Sequence, residues 1–165
     1  MALTTEIIIG IIIAGLIYVF IHRTIVQRAT RMVRRTAQDE TDVAMTAAVQ
    51  RLVNDGVLTV AESDLSPSAA VADVWGRGVM AFEYHLAVGM AAEHQVARLE
   101  HAFNEALAGF SVDHQVKAVI SGPAFVVSDI WVYEERLHVD VAYLMNESTV
   151  EYLKDLKKID SSSVQ

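Results

Sequence analysis

Phe125-Val-Val-Ser-Asp-Ile-Trp-Val-Tyr133, then Glu134-Glu135-Arg136, then Leu137-His-Val-Asp-Val-Ala-Tyr-Leu-Met145 is the stretch that decides the fold class. Both flanks alternate with a period of two, the pattern of strands buried on one side. The spacing predicts an antiparallel hairpin over 125–145 with Glu134-Glu135-Arg136 as its loop. In that register Phe125, Val127, Trp131 and Tyr133 share an inner face with Leu137, Val139, Val141, Tyr143 and Met145, interrupted by Asp129 alone. A slip of one residue would scatter the set, so the pattern itself selects the register. The opposite face collects Val126, Ser128, Ile130, Val132, His138, Asp140, Ala142 and Leu144. His138 then opposes Val132 and Asp140 opposes Ile130, away from Asp129, and no acid–base constellation follows.

Outward from the hairpin the period changes to that of helices. A C-terminal helix starts near Asn146 or Ser148, where Ser148-x-x-Glu151 reads as a capping box. Val150, Leu153 and Leu156 give it a narrow apolar stripe, and residues 161–165 form a polar tail. On the other side Val116–Ser121 reads as a further strand, ended by Gly122-Pro123. Before it a helix is expected over 91–108, with Val96, Leu99, Phe103, Ala106 and Phe110 forming a seam. That seam has two destinations, a partner helix or the chain's own sheet. Ser66-Pro67 reads as a helix start, with apolar residues recurring at Val71, Val74, Val79, Phe82, Leu86 and Met90 and a break at Gly76 and Gly78. Val57–Val60 is short and β-favouring. Asn54-Asp55-Gly56 is a helix stop.

The N-terminal region differs from all of this. Residues 7–21 are fifteen apolar residues without a break, eight of them isoleucines, six of these in two triplets. They rise about 22 Å, short of the roughly 30 Å hydrocarbon core, so Ala2–Thr5, Ile25 and Val26 are called on to extend the apolar surface. The expected fold class is therefore α+β: an N-terminal transmembrane helix continuing into a long helix, then a helical region on a small antiparallel sheet, then a C-terminal helix. The expected divisions are a membrane anchor over 1–24, a basic juxtamembrane and helical stalk over 25–55, a compact domain over 56–160, and the tail. Gly10 and Ala14, four apart, suit close helix–helix packing within the anchor.

Charge is unevenly spread. The total is −8, yet residues 1–36 hold five arginines (Arg23, Arg28, Arg31, Arg34 and Arg35) and one acid, Glu6. These arginines are expected at a membrane interface, with the N-terminus outside and the C-terminal domain cytoplasmic. The acidic remainder is a poor partner for phosphate backbones, and nucleic acid is not expected to bind. Cysteine is absent, which removes disulfides, thiolate metal sites and cysteine nucleophiles.

Nothing in the sequence assembles into a catalytic, cofactor-binding or metal site. His94 and His101 are seven apart and lack the closer spacing of helical metal pairs. Glu135-x-x-His138 spans an expected turn, and Glu83-Tyr84-His85 reads as an ordinary polar segment. No nucleotide-binding glycine motif or nucleophile elbow occurs. No small-molecule ligand is expected.

Over residues 2–54 at most, a glutamate just before an isoleucine-rich run at the head of a long helix resembles a type IV pilin. The pattern departs from that family in lacking a leader that ends in glycine before the run, and the arginine collar opposes export. The leading expectation is a non-enzymatic, membrane-anchored structural or assembly subunit of a bacterial or viral multiprotein complex. Its partners would be the lipid bilayer and other protein subunits, copies of itself included. A pilin-like filament subunit comes second, and a membrane-tethered enzyme or ligand-binding domain third.

Overall fold

The computed structural model describes residues 2–71, 78–88 and 94–162; the side chains of 2–9, 24–29 and 160–162 lie outside the described residues. Helix α1 (Ala2–Asn54) opens the chain. Residues 1–35 form one compact unit and residues 36–165 another. Asp55-Gly56 closes α1, with Gly56 at φ +70°, the left-handed conformation a glycine adopts without strain.

The second unit is α+β. After a 3₁₀ turn at Val60–Glu62 come β1 (Ala69–Ala70), β2 (Ala81–Ala87), α2 (Val96–Asp113), β3 (Phe125–Tyr133), β4 (Arg136–Tyr143) and α3 (Glu147–Ser162). The four strands form one antiparallel sheet in the order β1-β2-β4-β3. Its inner face carries Phe82, Tyr84 and Leu86 from β2 and Leu137, Val139 and Val141 from β4, all buried. They share one core with Met45, Val49 and Leu52 of α1 and Leu99, Phe103 and Leu107 of α2. Polar contact also ties this face to α1, where the Tyr84 hydroxyl donates to Asp42 Oδ1 at 2.8 Å. On the other face, α3 covers Ala81 with Tyr152 and covers Ala142 and Val126 with Val150 and Leu153.

The hairpin forms where the alternation predicts, but its register is different. Tyr133 pairs with Arg136, so the loop is only Glu134-Glu135, both at positive φ (49° and 59°). Positive φ at both central residues is what a type I′ turn requires, and its twist matches the flanking strands. A β-bulge lies between Val127 and Asp129, so Ser128 has no opposite number. One extra residue inverts the facing of all that follows on β3. Ile130 and Val132 therefore pair with Val139 and Leu137 on the inner face. Trp131 and Tyr133, expected inside, face outward.

Two further expectations are corrected. The helix expected from Ser66 is replaced by sheet: the Ser66 N–H donates to the His85 carbonyl, and the His85 N–H donates to Ser66 Oγ. Phe82 and Leu86, four apart, fit a helical face, but with Tyr84 they fit a strand equally well. Long-range pairing of β2 with β4 decides between the two. The segment Val116–Ser121 contains no strand. Residues 72–77 and 89–93, including Val74, Trp75 and Met90, lie outside the described residues.

The transmembrane assignment is also overturned. Among the described residues, no helix is long and apolar enough to cross a membrane. The physical reason is length, since fifteen unbroken apolar residues fall about 8 Å short of the hydrocarbon core. Ile25 and Val26, needed to extend the surface, are among the side chains outside the described residues, as are Ile7, Ile8 and Ile9. The expected single-pass localisation, with one end outside and the domain cytoplasmic, falls with that assignment.

Candidate functional site

Two surfaces stand apart from the rest of the chain, one apolar and one polar. The apolar one is the segment of α1 from Gly10 to Ile21. Ile11, Ile12, Ile13, Leu16, Ile17, Val19, Phe20 and Ile21 are each between 51% and 73% exposed. With 3.6 residues per turn these positions take in every side of the helix, so the surface is a sleeve rather than a stripe. A methyl group added at Gly10 or Gly15 would meet nothing within 4 Å.

The polar surface is the part of the sheet's outer face that α3 leaves uncovered. Strand alternation puts Glu83 and His85 of β2 on this face, and His138 and Asp140 of β4 beside them. Glu83 is the cross-strand partner of Asp140, and His85 of His138. On the far side of β4, Asp129 partners Asp140 and Trp131 partners His138. Two ladders thus bring together residues up to 57 positions apart in sequence.

One carboxylate oxygen organises this face. Glu83 Oε1 accepts from His85 Nε2 and from His138 Nδ1, each at 2.9 Å. A carboxylate oxygen only accepts here, so both facing ring nitrogens carry hydrogen. The rings of His85 and His138 lie 4.3 Å apart between centroids, and Trp131 stacks on the other side of His138 at 4.8 Å. The His138 hydrogen bond holds the Glu83 carboxyl below its ordinary range, burial opposes this, and the His85 bond reinforces it. Asp140 behaves in the opposite way. Burial, helped by the negative charges of Glu83 and Asp129, pushes its carboxyl up to about 7. Its Oδ1 is buried with no hydrogen-bond partner.

Among the described residues, Glu83, His85 and His138 are the one group whose ligand atoms could converge on an ion, all lying within 4.8 Å of one another. His101 and Glu105 pair at 3.5 Å on the exposed side of α2. Asp129, expected on the face opposite His138 and Asp140, shares their face because of the Ser128 bulge.

The residues singled out by sequence are scattered. Leu99 and Phe103 of the α2 seam are buried in the core, while Val96 and Phe110 lie half-buried at its edge. Those core positions are spent on the chain's own sheet. Gly10 and Ala14 are exposed on α1, as are Arg23, Arg31 and Arg35; Arg34 is half-buried, and the side chain of Arg28 lies outside the described residues. The Glu83–His85–His138 group was missed because 66–90 read as helical. The available signal was the Glu-x-His spacing in a segment that also fits a strand, since residues i and i+2 of a strand share a face.

No protein family, curated protein or solved structure matches the chain.

Proposed function

We propose that this protein is a non-enzymatic structural or assembly subunit of a multiprotein complex, joined to its neighbours through residues 10–21 of α1. The observation that carries the reading is the exposed apolar sleeve. A helix that is apolar on all sides is stable only when surrounded. A single neighbour covers one stripe, so full burial calls for several helices. Copies of the same chain are the simplest source of several equally apolar partners. Each fully buried Leu, Ile, Val or Phe is worth about 1.5–3 kcal/mol, so eight together rival or exceed the roughly 4–15 kcal/mol that association costs. Gly10 and Ala14 are small enough to let helix backbones approach closely.

Sedimentation of the full chain in detergent-free buffer tests this. Discrete species of several chains are expected, and Ile13→Glu with Ile17→Glu should reduce them to monomers while leaving the far-ultraviolet circular dichroism of the α+β unit intact. A wild-type monomer in buffer, or a monomer recovered only on phospholipid vesicles, would contradict the proposal. Open-ended fibres in electron micrographs would replace a closed assembly by a filament.

A further inference from the structure

We propose that Glu83, His85 and His138 form a binding site for a divalent first-row transition ion, zinc foremost, on the outer face of the sheet. The three donors are Glu83 Oε1, His85 Nε2 and His138 Nδ1, which already lie within 4.8 Å of one another. In a tetrahedral zinc sphere with bonds of about 2.0–2.1 Å, neighbouring donors sit about 3.4 Å apart. The carboxylate oxygen is 2.9 Å from each ring nitrogen, so it need open by only about half an ångström on either side. Binding replaces the two ring hydrogens now directed at Glu83. Each neutral imidazole keeps its proton by carrying it on its other nitrogen, and a protonated ring would release one.

The setting favours an ion in two further ways. The donors stand on β2 and β4, the two central strands, where paired backbone on both sides holds their spacing. Beside them the buried Asp140, cross-strand partner of Glu83, keeps one oxygen without a hydrogen-bond partner. A dication supplies the positive charge that this pair of neighbouring carboxylates lacks. Two imidazoles with one carboxylate select zinc and its neighbours, because calcium and magnesium demand mostly oxygen ligands. Both Glu83 and His85 are part-exposed, leaving room for water in a fourth position.

Titration calorimetry of zinc chloride into the chelator-stripped full chain, kept dispersed in a nonionic detergent, decides the matter. One ion per chain is expected, with affinity falling at least tenfold in His85→Ala and in Glu83→Gln and unchanged in His101→Ala. His138 is the most covered of the three, so His138→Gln is used there, with circular dichroism confirming the fold. Cobalt(II) should give visible d–d bands that disappear in His85→Ala. Binding no tighter than a Kd of about 100 μM would overturn the site. So would binding that survives both His85→Ala and Glu83→Gln, or binding that is lost in His101→Ala.

Discussion

The indole of Trp131 lies against the imidazole of His138, with ring centroids 4.8 Å apart and 18° between the planes. On its other side His138 meets the ring of His85, and its Nδ1 hydrogen points to Glu83. Trp131 is therefore the lid of a polar cluster and takes no part in the main core. Removing it should uncover His138 at modest cost. Trp131→Ala is expected to lose about 1–2 kcal/mol, since an aromatic contact adds roughly 0.5–1.5 kcal/mol to a partial burial. Leu137→Ala, on the fully buried inner face, should lose about 2–5 kcal/mol. Denaturant unfolding of both variants checks the order, and equal losses would mean that Trp131 is a core residue after all.

The hairpin turn stores strain that a substitution can release. Glu134 and Glu135 both sit in the left-handed region, where a non-glycine residue is held at a cost of about 1–2 kcal/mol. Asn-Gly is the preferred pair for this turn. The double substitution Glu134→Asn with Glu135→Gly should therefore raise stability by about 1–2 kcal/mol without altering the strand register. A midpoint that stays the same or falls in urea would show that the turn is not of this type.

Two side chains fix the start of α3, one of them reaching the residue before β2. Asn146 Oδ1 accepts from the Thr149 N–H at 2.8 Å and from the Thr149 hydroxyl at 2.9 Å, which makes Asn146, not Ser148, the cap. Thr149 Oγ1 in turn accepts from the Met80 N–H at 2.9 Å, both groups buried. Asn146→Ala should cost about 1–2 kcal/mol as a lost cap. Thr149→Val leaves a buried N–H unpaired and should cost about 1–3 kcal/mol. Ser148→Ala is expected to be close to neutral. Thermal unfolding of the three variants separates these cases; a Ser148→Ala loss as large as that of Asn146→Ala would put the cap at the wrong residue.

Asp140 should make stability depend on pH in the metal-free protein. Its folded-state pKa is about 7, raised by burial above the value of 3.8 of an exposed aspartate. Below the unfolded pKa both states hold the proton and the contribution is fully present. As pH rises through 4 to 7 the unfolded chain gives up its proton first, the folded state binds more protons, and stability falls. Asp140→Asn removes this dependence. With chelator present, the melting temperature of the variant relative to wild type should climb between pH 4 and 7 and level off above. A difference independent of pH would mean that Asp140 ionises normally in the fold.

Much of the architecture is written in local pattern. The alternation from Phe125 to Met145 predicts the hairpin, Asn54-Asp55-Gly56 marks the end of α1, and the stripe of Val150 and Leu153 marks α3, because periodicity and turn chemistry act over a few residues. The facing of β3 beyond Ser128 is not local. With Asp129 as the one polar interruption, an unbulged strand and a bulged one account for the same residues, and only pairing with Val139 and Leu137 selects the second. The same holds for Ala81–Ala87, whose Phe82 and Leu86 suit a helix or a strand until β4 lies alongside. The polar cluster depends on both decisions, since Glu83 and His85 share a face with His138 only if 81–87 is a strand, and Trp131 joins them only if Ser128 bulges. Sequence alone thus determined the class of the fold and the apolar character of 7–21. Tertiary pairing decided which polar residues meet, because hydrogen bonds between strands are made over separations that no local pattern encodes.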